Sequence, residues 1–240
     1  NGLWGADFLI AGSTYTQGKI WFAKNFLDVP WFSPAQCCGD LFYPNVQVGY
    51  YSLMQLLFIL TDPESAIKIH FFIYSLLSMT GGYLLFNKSF NLSNPVSLLG
   101  ASLILLNNFF NYRYIAGHTA FASFNLIALY AYLIIEASKF KLKNINSLFF
   151  ISLSGLLFAS TIHHGHTLSA PLMIISLFGI LLIYSIKFDN NKVYLSLGLS
   201  LLSGIALSIS KIYVGLKLLK LYPREYISSE FTNIGDFFYL

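Results

Sequence analysis

Residues 66–86 read AIKIHFFIYSLLSMTGGYLLF, and Lys88 follows two positions later. The run matches the roughly 20 apolar residues that a helix needs to cross a bilayer. Its Gly81-Gly82 pair lets a second helix approach closely. Five further apolar stretches follow, at 95–110, 118–135, 148–162, 167–186 and 193–214. Pro95 suits a first helical turn, and Pro171 is expected to bend or thin its span. Alternate breaks between the stretches carry lysines: Lys88; then Lys139, Lys141 and Lys143; then Lys187 and Lys192. The positive-inside tendency places these breaks in the cytoplasm. Alternation then sends the other breaks outward, leaving only Glu136 and Asp189 among the acids inside. Lys19, Lys24, Lys68, Lys211, Lys217 and Lys220 fall outside, so the bias belongs to the short breaks. Lys211, Lys217 and Lys220 are expected to snorkel to headgroups.

Composition agrees. The 240 residues are 56% hydrophobic and 10% charged, with mean hydropathy +0.64. A soluble domain carries about 25% charged residues. The modest net charge of +4 sits beside apolar runs, where lipid headgroups account for it and nucleic acid does not. Cys37 and Cys38 are neighbours, a poor geometry for a disulfide. The start at Asn1 and the end among aromatics read as a piece of a longer protein, with a membrane helix before it.

Residues 1–65 do not form one clean span. An amphipathic helix is expected over 14–27, a Pro/Gly-rich loop over 31–45, and an apolar helix too short to cross over 46–60. The expected architecture is an all-α, polytopic transmembrane helix bundle. Residues 1–65 are its long first outer loop carrying two interfacial helices, 66–214 its six-helix transmembrane region, and 215–240 an outer loop or the start of the next segment.

The outward breaks hold the candidate chemistry. Asp7 can take a proton from an acceptor hydroxyl or bind a divalent metal. Asp40 is a second carboxylate, in a loop whose Trp31, Phe32, Phe42 and Tyr43 either clasp a sugar face or anchor at the interface. Arg113 offers forked donors to a phosphate and never loses its charge. His118 opens a helix, whose positive end adds to its preference for an anion. His163, His164 and His166 form the densest polar cluster, between two spans, where imidazoles are costly unless they meet water, a metal or an anion. Their spacing is no recognised zinc signature, so an anion-facing role leads over metal binding and over a solvated turn. His70 reads as hydrogen-bonded within the bundle, and Asn107, Asn108 and Asn111 as bonding between helices. Tyr222, Arg224 and Glu225 are candidates for the same outer site.

The order of these features resembles the polytopic GT-C glycosyltransferase superfamily, in particular bacterial YfhO-type and related membrane proteins. The resemblance covers roughly residues 1–186. It rests on Trp31, Pro34, Gly39, Pro44 and Tyr50 or Tyr51 in the long loop, and on the Gly117-His118 and Gly165-His166 turns. It implies a GT-C-like fold and a polyprenyl-phosphate sugar donor. Transfer to a glycan, lipid or protein acceptor follows on the extracytoplasmic face of the plasma or inner membrane. An aspartate of the first outer loop acts as base, and Asp7 matches that place. No Asp-x-Asp or Asp-Glu pair accompanies it, which counts against metal dependence; a divalent metal is the one candidate cofactor. Two rivals use the same residues: a lipid or polyisoprenoid transporter, and a non-catalytic membrane subunit of the same fold.

Overall fold

The computed structural model describes residues 7–34, 39–165 and 169–221. Helix α1 (Asp7–Asn25) leads to a two-residue hairpin, β1 (Phe32–Ser33) against β2 (Asp40–Leu41), with Ser33 opposite Asp40. Helices α2 (Leu53–Leu60) and α3 (Pro63–Leu84) follow, and α3 runs on through a wider turn at Leu85–Ser89. Then come α4 (Asn94–Leu105) and α5 (Asn108–Ile115). A 3-10 run (Thr119–Leu126) flows into α6 (Ile127–Ser138), and α7 (Ile145–His163), α8 (Ser169–Phe188) and α9 (Lys192–Leu221) complete the order. Among the described residues five helices are long and apolar enough to cross a membrane: Pro63–Ser89, Thr119–Ser138, Ile145–His163, Ala170–Phe188 and Lys192–Leu221.

Local chemistry sets the helix starts. The Asp62 carboxylate accepts from the Ser65 amide at 3.0 Å, Pro63 occupies the first turn and Glu64 meets the positive helix end. Asn144 caps α7 through the Asn146 amide at 2.8 Å. Pro171 is the third residue of α8, where its missing amide hydrogen costs nothing.

The single span expected over 95–110 is divided. Asn107 takes a non-helical backbone (ψ 137°) and accepts from the Phe110 amide at 2.9 Å. Its amide group turns back onto the Ile104 carbonyl. A side chain that bonds its own neighbourhood competes with helix continuation, so α4 ends after 12 residues and α5 begins. In the long loop, α1 starts earlier than expected, at Asp7. The second helix is confined to Leu53–Leu60, where Ser52 caps it by accepting from Gln55 N.

Helix α6 is the centre of the bundle, with Tyr130, Ala131, Ile134 and Ile135 buried among residues such as Phe158, Met173, Leu177 and Leu197. The surrounding helices expose large apolar side chains, among them Phe72, Leu76, Phe149, Ile175 and Leu202. In water such a surface is a liability; against lipid it is at home. Inside, small residues bring backbones together. A Cβ on Gly81 falls 2.6 Å from the Leu129 backbone, and one on Gly155 falls 2.7 Å from the Ser203 Cβ. Ser154 Oγ donates to Ser200 Oγ at 2.5 Å between α7 and α9.

The bundle has two chemically distinct ends. At one, Lys139 Nζ donates to the Lys88 carbonyl, Lys187 Nζ to the Phe90 carbonyl, and Asn190 Nδ2 to Ser138 Oγ. The three lysine-bearing turns therefore meet. At the other end, Tyr114 Oη donates to the Ile67 carbonyl at 2.7 Å, and Gln55 Nε2 to the Tyr15 carbonyl at 2.9 Å. There α1, α2, the start of α3 and the end of α5 close around the α7–α8 turn.

Candidate functional site

A cavity of about 520 Å³ opens at this second end, within the range of small-molecule sites. Arg113, His118 and His164 all line it.

The end of α5 brings the first two together. Gly117 N donates to Tyr114 O and His118 N to Arg113 O, a paired closure of the last turn. It requires a left-handed residue, supplied by Gly117 (φ 98°). The chain folds back by one turn, and Arg113 Nη1 lies 3.2 Å from His118 Nδ1. A guanidinium can only donate, so Nδ1 is the acceptor and the proton of a neutral ring sits on Nε2. Arg113 also lies over the rings of Phe121 (4.8 Å) and Phe109 (5.5 Å), which fix its plane. It forms no ion pair with a described residue.

His164 ends α7 with 1% of its surface exposed, and its Nδ1 lies 3.1 Å from Tyr74 Oη. The following Gly165 (φ 89°) turns the chain against the 47–49 segment. A Cβ on Gly165 falls 2.3 Å from the Gln47 carbonyl oxygen, and one on Gly49 falls 2.9 Å from that of His164. Both positions need glycine for the close approach. Gln47, Val48 and Gly49 thereby form a wall of the cavity.

Lys211 holds that wall. It is 1% exposed, and its ammonium donates to the carbonyls of Tyr43 (2.6 Å), Asn45 (2.8 Å) and Val48 (2.9 Å). Three donors meet three acceptors, which offsets the cost of burying the charge. This corrects the expectation that Lys211 snorkels to headgroups: the carbonyls of the 43–48 turn take all three of its ammonium protons.

The remaining wall comes from α1 through Ala11, Thr14 and Tyr15. Burial pushes the Tyr15 phenol above its ordinary value, against hydrogen bonds with Thr119 and Ser52 that lower it. The phenol stays neutral across the physiological range. Behind His164 lies a buried polar layer. His70 Nδ1 is 3.1 Å from Tyr114 Oη, whose one proton goes to Ile67 O, so Nδ1 must donate. The His70 and His164 rings meet edge to face at 4.9 Å.

The other candidates are placed as follows. Asp7 is the first residue of α1, one turn before Ala11 of the cavity wall. His163 turns away and meets the edge of Tyr51, with ring centroids 6.1 Å apart. Asp40 belongs to the hairpin, and no described hairpin residue lines the cavity. The hairpin instead borders a separate apolar groove with Ile20, Trp21 and Phe42. His166, Tyr222, Arg224, Glu225 and the Cys37-Cys38 pair lie outside the described residues. Among the described residues no three His, Cys, Asp or Glu side chains gather as a metal site requires. The sequence reading missed Tyr15, Tyr74, Tyr114 and Lys211. The visible signal was Tyr74 four positions after His70, which shares its helix face.

Comparison with known protein families, curated proteins and solved structures gives no match.

Proposed function

We propose that this chain is the membrane portion of a glycosyltransferase that moves a sugar from a polyprenyl-phosphate donor to an acceptor on the extracytoplasmic face. The observation that carries the reading is one cavity holding Arg113, His118 and His164 at the end of the bundle opposite the lysine turns. The lysines mark the cytoplasmic side by the positive-inside tendency, which leaves the cavity on the far side. The polyprenyl chain lies against the exposed apolar helix faces. The phosphate meets the Arg113 fork and the His118 Nε2 proton. Asp7, one turn from the cavity wall, takes the acceptor's hydroxyl proton. The acceptor oxygen then bonds to the anomeric carbon as the bond from that carbon to the phosphate oxygen breaks. The leaving group departs as polyprenyl phosphate, so the site's main task is to stabilise its negative charge, which suits a fixed guanidinium.

The test uses the full-length protein with labelled donor lipid and an acceptor. Asp7→Asn is expected to lower transfer at least a hundredfold, within the range of a general base. Arg113→Lys is expected to fail to replace the fork. An unchanged rate in Asp7→Asn removes Asp7 as the base. Donor that crosses between leaflets with no glycosidic product makes the cavity a transporter's.

A further inference from the structure

The far end of the bundle holds a second cleft, of about 330 Å³, between the α6–α7 turn and the start of α9. Phe140, Leu142 and Leu195 supply its apolar surface, and Lys141, Lys143 and Lys192 its charge. Leu195 is 51% exposed. Two other lysines of this end are engaged elsewhere. Lys139 pairs with Glu136 at 2.6 Å, and Lys187 donates to the Phe90 carbonyl and lies over the Phe188 ring. The side chains of Lys141, Lys143 and Lys192 make no hydrogen bond or ion pair with a described residue. The end carries six lysines against Glu136 and Asp189, a net +4 that equals the formal charge of the whole chain.

The vertical order of the cleft is informative. Lys192 is the first residue of α9. Leu195 lies about 4.5 Å further along the helix axis and Gly198 about 9 Å. No described atom outside its own helix segment lies within 4 Å of where a Gly198 Cβ would stand, so the groove continues open down the lipid-facing side. Leu202, 64% exposed, extends it by another turn. Charge at the surface, an apolar wall one turn deeper and an open groove below match an amphiphile with an anionic head and a long tail. A soluble anion has no use for the lower two parts, and a zwitterionic lipid has none for three unpaired ammonium groups.

We infer that this cleft is a binding site for one anionic phospholipid of the surrounding bilayer, with the headgroup phosphate at Lys141, Lys143 and Lys192 and an acyl chain over Leu195 and Gly198. Three lysines near an anionic surface contribute about a hundredfold in affinity together.

The experiment offers the full chain in detergent equimolar phosphatidylglycerol and phosphatidylcholine with identical chains, and reads retained lipid by native mass spectrometry. One phosphatidylglycerol per chain is expected to be kept over phosphatidylcholine. Lys141→Gln with Lys143→Gln and Lys192→Gln is expected to weaken retention about a hundredfold. Leu195→Trp fills the cleft without altering charge and is expected to lose the lipid too. Lys217→Gln with Lys220→Gln, on the last turns of α9, is expected to keep it. Equal retention of both lipids overturns the inference. So does an equal loss in the Lys217/Lys220 variant, which makes the effect diffuse charge. Competition by chain-free glycerophosphoglycerol at the lipid's own concentration overturns it as well, because the tail then contributes nothing.

Discussion

Two residues decide whether the cavity keeps its shape. Lys211→Met leaves three carbonyls without their donor, and the loss is expected to be about 3 kcal/mol, read by thermal unfolding in detergent. Gly165→Ala places a methyl group against the Gln47 carbonyl at a positive φ. Strain and overpacking together are expected to cost about 2–4 kcal/mol, with loss of ligand binding at the cavity in the same variant. The two positions differ in how visible they were. The His164-Gly165 turn stands out in the sequence as a polar island between apolar runs. Lys211 does not, because its partners lie 163, 166 and 168 positions away and are backbone atoms, which carry no sequence signal. Arg113 and His118 were legible as a pair by their spacing. The phenylalanines that hold the guanidinium, Phe109 and Phe121, read only as part of the apolar background.

At the scale of elements, the start of α3 responds to pH. Hydrogen bonds from the Ser65 side chain and backbone hold the Asp62 carboxyl below its ordinary 3.8. A carboxyl lowered in the folded state stabilises it fully above the unfolded value and ceases to do so as pH falls through the folded value. The melting temperature is therefore expected to fall in wild type below about pH 4 by more than in Asp62→Asn, whose cap does not titrate. Long apolar runs such as 66–86 were readable because length and hydropathy are local properties. The division of 95–110 was not, although Asn107 was in plain view. Its side chain reaches another element as expected, donating to Asn125 Oδ1 at 3.4 Å, but its shorter bonds are to Phe110 and Ile104, three residues away on either side. The second short helix starts only at Leu53 because Ser52 caps it there.

For the whole molecule, the alternation of lysine-rich and histidine-bearing turns was the most legible feature, and the contacts within each end reproduce it. Cysteines placed singly at Gln47 and at Lys141, in a background without Cys37 and Cys38, are expected to react with a membrane-impermeant thiol reagent from opposite sides. Labelling of both from one side removes the shared frame of the two sites. The division at Asn107 also bears on how the protein is made. Helix α4 is about 18 Å long, against a hydrocarbon core of about 30 Å. A segment of that reach cannot halt in the translocation channel by its own hydrophobicity. It is expected to enter lipid as the second arm of a hairpin, held by the seat that Gly82 offers Ala101 on α3. Insertion of α4 is therefore expected to depend on α3, which serves as the template for its successor.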